Sequence, residues 1–571
     1  MNNMAKIDKN ILLIYSFAVL VLLLAQIQFF YFAGGSGIPP YSNFMLIFSL
    51  VFASIFVLFR NKIILLIPIW LYVLITYINI LYYRYYSTFI PFSSYQMKMS
   101  DLHFLITSTL DSLKYYDILF FLPVLLFSLF DWKKVKSYRS QFVVVSIGGL
   151  LLAMVLFLTL DLPKIKTICR DYQSEMDRNR YAGTLTYGYS GYVIYETFYH
   201  KDRIHLSEEE RAKIDTYLKE KPLATSSHIP EKNKLIENKN IILIFVESLE
   251  TFPLNKAVNN YEITPFFNSL CRDSSVLYLP KIISQVSGGR SSDAQLLYNT
   301  GLLPLRQGAA CRLNGIKYKS LVSALKEERD FNDCITIHSY SPSFWNQTLF
   351  SKMLGYDKTY SDCDFNDYEY IGESISDKSL VDQSIPIIAS LKQPFFVQFI
   401  TSSSHDPIDI KEKKTFDLSK TIDKPTAYYL EIINYVDRTI QSLFDSLNEN
   451  NLLENTIVII SGDHSSGYEE DKNSKYFVKL RDDERFVPLI VYGAGISYKH
   501  DKEIGQVDVY PTLLDLFELK TDWRGLGYSI FEQDSIENTE LFSEKPHEIV
   551  DVHQISDWII RGNYFNVGVG K

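Results

Sequence analysis

The spacing of apolar and polar positions changes character near residue 160. Before it, five apolar stretches dominate: Ile11 to Phe32, Phe44 to Phe59, Ile63 to Tyr82, Tyr115 to Trp132 and Phe142 to Leu160. A hydrocarbon core of roughly 30 Å takes about 20 apolar residues of helix. The first, third and fifth stretches meet that length and the other two meet it marginally, a buried or interfacial helix being their alternative. Residues 1–160 are therefore expected to form a transmembrane domain of five helices. The first stretch has no clear small-residue cleavage site and four more follow it, which favours a retained anchor over a signal peptide.

Lys6, Lys9, Arg60, Lys62, Lys133, Lys134, Lys136 and Arg139 fall at the N-terminus and in alternate connections, while the loop 33–42 has no Lys or Arg. That asymmetry predicts the N-terminus inside and everything after Leu160 outside. The aromatic connection Tyr83 to Lys114 suits the outer interface.

Residues 161–239 read as a charged helical linker. In "LSEEERAKIDTYLKEK" Ser207 is expected to cap a helix, with Glu209, Glu210 and Lys213 on its exposed face. The linker is expected to be a solvated connector, and "PLATSSHIPEKNK" a loop.

From residue 240 short β-branched runs alternate with helical patterns, as a mostly parallel sheet covered by helices requires. This α/β domain is assigned to 240–535, with 536–571 as its C-terminal extension. The expected strands are 240–248, 334–340, 395–400, 456–464 and 487–493. Ligands of such sheets sit beyond the carboxyl ends of the strands. Glu247 closes the first strand, His338 the second, His405 follows the third, and Asp463 with His464 closes the fourth. Each has an ordinary explanation alone, as a cap or a surface histidine; four strand ends alike point to one site.

Two carboxylates and an imidazole suit a divalent cation of the Mg, Mn or Zn type. A serine alcohol becomes a competent nucleophile when a metal lowers its pKa. "SGGRSSDAQ", residues 287–295, supplies two glycines, Arg290, Ser291 and Ser292 just before a helical pattern whose first amides favour an anion. Ser292 is expected to cap that helix at an amide near Gln295. The net charge of −9 argues against a nucleic-acid partner, and five cysteines without CxxC spacing give neither a zinc knuckle nor a disulfide framework.

"NIILIFVESLETFPLNKAVNNYEITPFFNSL", "GGRSSDAQ", "FWNQTLFSKMLGYDK", "TSSSHDP", "IVIISGDH" and "GQVDVYPTLLDLFEL", in that order, resemble the lipoteichoic acid synthase family of membrane phosphoglycerol transferases, within the alkaline phosphatase and sulfatase superfamily. The resemblance implies a sulfatase-like extracytoplasmic domain on a bacterial cytoplasmic membrane. It implies one divalent metal, manganese or magnesium with zinc as an alternative, held by Glu247, Ser291, Asp463 and His464. It makes Ser291 the nucleophile in place of the family's threonine, and puts His338 and His405 in the substrate pocket as catalytic groups that contact the phosphate or donate protons, with Trp345, Gln347 and Arg290 as substrate-binding residues. Gln347 stands where the family commonly has a phosphate-gripping arginine, a fork that an amide does not provide.

The implied reaction moves phosphoglycerol from an anionic phospholipid, phosphatidylglycerol foremost, to a glycan or glycolipid hydroxyl. Phosphoethanolamine transfer and phosphate or sulfate ester hydrolysis are its alternatives on the same fold. "SSDAQ" lacks the proline and arginine that follow a sulfatase's modified residue, and the presence of Glu247, Ser291, Asp463 and His464 disfavours a non-catalytic scaffold or sensor.

Overall fold

The computed structural model describes residues 9–32, 42–59, 61–86, 89–90, 113–130, 139–161, parts of 187–197, 204–220, 238–531 apart from short gaps, and 551–566. The chain forms two compact units, residues 1–202 and 203–571.

The N-terminal unit holds apolar helices at all five expected places: Lys9–Phe32, Ser42–Val57, Lys62–Tyr86, Ile118–Leu129 and Arg139–Leu156. Three are long and apolar enough to cross a membrane, Lys9–Phe32, Lys62–Arg84 and Ser140–Thr159; two apolar helices, Phe44–Val57 and Tyr115–Leu129, are shorter. Polar side chains between them find partners within the unit, as an apolar surrounding demands. Tyr15 donates to the Leu50 carbonyl (3.1 Å), Gln26 to that of Met45 (3.2 Å), and Ser146 to that of Ser54 (2.6 Å). Arg84 grips Asp117 with both nitrogens (2.7 and 2.9 Å). Most of the connection 83–114 and the loop "PLATSSHIPEKNK" lie outside the described residues.

The linker differs from its expected solvated form. Its helix Glu208–Glu220 starts as the pattern predicts, with Ser207 accepting from the Glu210 amide (3.2 Å), Glu210 accepting from the Ser207 amide (2.8 Å), and an exposed Glu209–Lys213 pair. Yet Leu206, just before the helix, and Ile214 are buried in the core of the C-terminal unit, with Tyr217 and Leu218 packed against it, because these apolar positions give the charged helix one face to bury.

The C-terminal unit is built on a nine-stranded sheet. In chain order its strands are β1 (Asn240–Val246), β2 (Leu277–Ile283), β3 (Asp333–His338), β4 (Lys358–Tyr360), β5 (Phe395–Ile400), β6 (Thr456–Gly462), β7 (Phe486–Tyr492), β8 (Tyr498–Lys499) and β9 (Ile504–Gly505). They lie in the order β8-β2-β7-β6-β1-β5-β3-β4, with β9 also paired to β2. The run β6, β1, β5, β3, β4 is parallel throughout, and β7 is antiparallel to both its neighbours. Two reversals leave β2 pointing the same way as β6. Its carboxyl end therefore opens at the same edge as those of β1, β3, β5 and β6.

Burial on both faces makes these strands continuously apolar while still alternating sides. Ile241, Leu243 and Phe245 of β1 enter one core, while Ile242, Ile244 and Val246 enter the other. The first core is covered by the helices Ser291–Thr300, Leu321–Arg329, Val509–Leu516 and Val552–Arg561, and the second by Asp377–Ala389 and Lys424–Glu449. The extension past residue 535 joins through Ile555, Ile559 and Ile560.

Candidate active site

β1 and β6 are neighbours in register, Val246 opposite Gly462, so the residues that follow them, Glu247 and Asp463, emerge side by side. The turn after β1 is tight, with Ser248 at φ 56°. It aims the Ser248 amide at Asp463 Oδ1 (2.8 Å), while the Ser248 hydroxyl donates to Glu247 Oε1 (2.9 Å). Gly462 is required by this approach: a Cβ there would lie 2.0 Å from the Leu249 carbonyl oxygen. From the neighbouring strand end, Thr401 Oγ1 accepts from the Glu247 amide (3.0 Å) and Ser404 donates to the Glu247 carbonyl (2.6 Å).

β2 delivers the stretch 284–290 to the same edge. Buried Asp293 accepts from the amides of Ser287 and Gly289 (2.9 Å each) and folds the stretch back on the helix start. A Cβ on Gly289 would lie 2.2 Å from Asp293 Oδ1. Arg290 takes φ 45°, a conformation sparsely populated for residues other than glycine. The turn thus presents Ser291 at the first position of the helix Ser291–Thr300. Its hydroxyl lies 3.2 Å from Glu247 Oε2 and 3.4 Å from His464 Nε2. Ser292 points inward and donates to the Gly289 carbonyl (2.7 Å). It closes the turn rather than capping an amide near Gln295, because its short side chain reaches back along the helix more readily than forward.

Glu247, Asp463 and His464 each offer a ligand atom, all within 4.8 Å of one another. His464 Nδ1 lies 3.0 Å from the Ser465 carbonyl. A carbonyl only accepts, so the proton sits on Nδ1 and the Nε2 lone pair faces the carboxylates. Burial, reinforced by the Glu247 charge, pushes the Asp463 carboxyl up to about 6, and its Oδ2 has no hydrogen-bond partner among the described residues. Two buried carboxylates facing an imidazole lone pair and a hydroxyl repel one another until a cation joins them. The donor set therefore fits a divalent metal ion.

The remaining expected residues occupy the same sheet edge one and two strands away. His405 follows β5, half-buried, its ring 6.4 Å from that of Tyr340. His338 ends β3 opposite Ile400. Burial pushes its imidazole down to about 4, and its Nε2 has no partner among the described residues. Trp345, at φ 51°, packs half-buried against the core. Gln347 differs from its expected place against substrate. Its amide nitrogen donates to Gln295 Oε1 (2.7 Å) and Ser351 Oγ (3.0 Å), and its oxygen accepts from Gln295 Nε2 (3.1 Å). An amide takes these interior bonds where a guanidinium would be left with unmatched donors.

Three groups escape a reading of strand ends alone. Asp377, buried at the start of its helix, accepts from the Ser402 (2.8 Å) and Ser403 (3.2 Å) amides and shapes the turn that carries His405. Glu250 and Arg481 form a buried ion pair: Nε donates to Oε2 at 2.7 Å and a terminal nitrogen to Oε1. Glu250 Oε1 also accepts from the Ser466 amide and hydroxyl (2.8 Å each). Glu250 follows Glu247 by three residues and Ser466 follows His464 by two, so this pair ties together the two turns bearing the candidate metal ligands. Arg312 is the third group, its guanidinium 5.2 Å from the Trp345 ring. For Glu250 the only available signal was an acidic residue just after an expected strand, and for Asp377 there was none.

Residues 239–519 match the family model described as sulfatase, and residues 1–204 match that of the lipoteichoic acid synthase N-terminal domain. The chain is 28% identical over 508 residues to lipoteichoic acid synthase 1 of Bacillus subtilis strain 168, covering 83% of this chain and 76% of that protein. It is 27% identical over 496 residues to the lipoteichoic acid synthase of Staphylococcus aureus strain USA300, covering 83% and 74%. Among solved structures, a lipoteichoic acid synthase from Listeria monocytogenes superimposes with a TM-score of 0.49 at 23% identity, over 56% of this chain and 81% of that one.

Proposed function

The chain belongs to the lipoteichoic acid synthase-like transferases of the sulfatase superfamily, and we propose that it transfers a phosphoglycerol group from an anionic phospholipid to a glycan or lipid hydroxyl through Ser291. The observation that carries this reading is the convergence of the Ser291 hydroxyl, Glu247, Asp463 and His464 at one sheet edge.

A divalent cation held by Glu247, Ser291, Asp463 and His464, manganese or magnesium by the hardness of the donors, would acidify the hydroxyl and offset charge on the phosphoryl oxygens. Ser291 Oγ attacks the phosphorus of the donor. The bond from phosphorus to the diacylglycerol oxygen breaks, and diacylglycerol leaves carrying the proton that Ser291 gives up. Glu247 Oε2, 3.2 Å from Oγ, is the atom toward which that proton points. In the second half the acceptor hydroxyl attacks the same phosphorus, the bond to Ser291 breaks, and the acceptor's proton restores the serine. His338 and His405 border the leaving oxygen; His338, neutral by burial, orients it as a hydrogen-bond partner.

The lipid donor gives the apolar helices their purpose, since a substrate that never leaves the bilayer must be met there. We read all five as spans with the catalytic domain outside the cytoplasmic membrane. Reporter fusions after Tyr138 and after Lys232 then report opposite sides, and finding both on one side refutes that topology. For the reaction, purified protein with manganese is given a head-group panel of labelled phospholipids. Diacylglycerol is expected from phosphatidylglycerol; release only from phosphatidylethanolamine changes the head group, and release from none refutes lipid transfer.

A further inference from the structure

Arg312 ends a short 3-10 turn, Ala310–Arg312, that packs against both the nucleophile helix and the turn Phe344–Asn346. Cys311 is buried, and its carbonyl accepts from Asn346 Nδ2 (2.9 Å), which fixes the turn there. The guanidinium is half-buried and sits 5.2 Å from the centroid of the Trp345 ring. Among the described residues it has no carboxylate partner and no side-chain hydrogen bond.

This is an unusual state for a half-buried arginine beside an active site. The acidic residues in the same site face one another around the candidate metal position, and Arg481 is already paired with Glu250. Stacking on an aromatic face orients the plane of a guanidinium while leaving its N–H edge open, and that edge fits two oxygens of one phosphate. The aromatic partner is itself held in a costly conformation, with Trp345 at φ 51° and Asn346 at φ 55° in succession. Two such residues in a row persist where their placement matters.

We propose that Arg312, held by Trp345, is the residue that grips the anionic phosphoryl oxygens of the substrate. It thereby supplies the cationic fork that Gln347, committed to the Gln295 amide, does not. The inference rests on the phosphoryl-transfer reading of the site, and the recognised chemistry is a phosphate mono- or diester, met either as a lipid head group or as a free phosphate ester.

The test uses full-length protein in detergent with manganese. Turnover of phosphatidylglycerol is compared with calorimetric binding of soluble sn-glycerol 1-phosphate, for wild type, Arg312→Gln and Arg312→Lys. Loss of a charge-assisted hydrogen bond raises KM for the lipid and Kd for the glycerol phosphate by about tenfold or more in Arg312→Gln. Arg312→Lys, which keeps the charge without the fork, falls between and covers the case in which the glutamine variant does not fold. Manganese affinity stays at the wild-type value in both. A shift in KM without one in the soluble ester's Kd assigns the grip to the lipid head group alone. Wild-type KM and Kd in both variants overturn the proposal while diacylglycerol release leaves the reaction standing. Tighter wild-type binding of glycerol phosphate, with no diacylglycerol from any lipid, upholds Arg312 and removes the lipid reaction instead.

Discussion

The two halves of the active site are built on different plans. Around the candidate metal position, Glu247, Asp463, His464 and Ser291 come from three turns that are locked to one another: Ser248 bonds to Asp463, Glu250 to Ser466 and Arg481, and Gln506 accepts from the Gln285 amide and donates to the Asp463 carbonyl. At the proposed substrate half, His338 Nε2 and the Arg312 guanidinium have no polar partner among the described residues, and Trp345 and Asn346 hold left-handed backbone. Charge-bearing ligands tolerate little displacement, because a metal site loses affinity when its outer partners move. A surface that awaits an anionic ligand keeps its donors unsatisfied until the ligand arrives. On the proposed reading, the difference separates the residues that set the chemistry from those that choose the substrate.

The sharpest break falls on the metal half. Ser291→Ala is expected to lower turnover by about a thousandfold or more, while the carboxylates and His464 still bind metal in part. Chelation abolishes activity and manganese or magnesium restores it; Asp463→Asn does not recover. Full turnover in metal-free buffer removes the metal from the mechanism.

The next effect tests whether the interlock matters for the metal. Arg481 and Glu250 are both buried. Removing one partner of such a pair leaves a buried charge uncompensated, at a cost of about 3–5 kcal/mol. Arg481→Met is therefore expected to lower Tm strongly and to weaken manganese binding measured on the folded protein. Adding Glu250→Gln to it returns part of the stability, since the stranded charge is gone. A Tm loss with unchanged manganese affinity makes the pair a fold element only.

A smaller effect marks the substrate half. Burial holds the His338 imidazole at about 4, below its ordinary value near 6.5. The folded protein thus binds fewer protons than the unfolded chain between these values, so this group lowers stability as pH falls through that window and contributes nothing to its pH dependence above it. Followed by NMR in the metal-free protein, its ring signals stay constant from pH 8 to 5 and shift only near 4. Titration near 6.5 places the ring in water and removes His338 from the buried wall.

The sheet was legible because strands buried on both faces advertise themselves as continuous β-branched runs, and each of the five expected strands appears within two residues at either end. β2 was not legible: "LYLPKII" carries Pro280 and Lys281, which break the run and mimic a loop, although this strand aims the nucleophile turn. The convergence of Glu247, Asp463 and His464 could be read from residue types at strand ends, since carboxylates and a histidine directly after strands have few other uses in combination. The substrate half could not. Gln347 reads as a substrate contact until its amide is found paired with Gln295, a residue 52 positions away, and Arg312 acquires meaning only from the stacking on Trp345. Such pairings are set by tertiary packing, which leaves no periodic trace. The linker helix went astray for a related reason, its few core-facing apolar residues, Ile214, Tyr217 and Leu218, being outnumbered by charges.

The smallest effect is the most discriminating. Ser291 and Ser292 are adjacent, yet Ser291 faces Glu247 and His464 while Ser292 is buried and donates to the Gly289 carbonyl. Ser292→Ala removes one buried neutral hydrogen bond, worth about 1 kcal/mol, and leaves Asp293 to hold the turn. A Tm lower by a few degrees and turnover within a few-fold of wild type are expected. The carbonyl it deserts stays half-satisfied at worst, because a carbonyl oxygen that loses one donor still accepts from the Ser292 amide at 2.9 Å. Protein quenched during turnover and digested gives the matching covalent answer: the glycerophosphate mass on the peptide containing "SSDAQ" resides on Ser291, and persists in Ser292→Ala. The same adduct on Ser292 would require the helix start to rotate its inward side chain past Gly289, and finding it there would exchange the roles of the two serines.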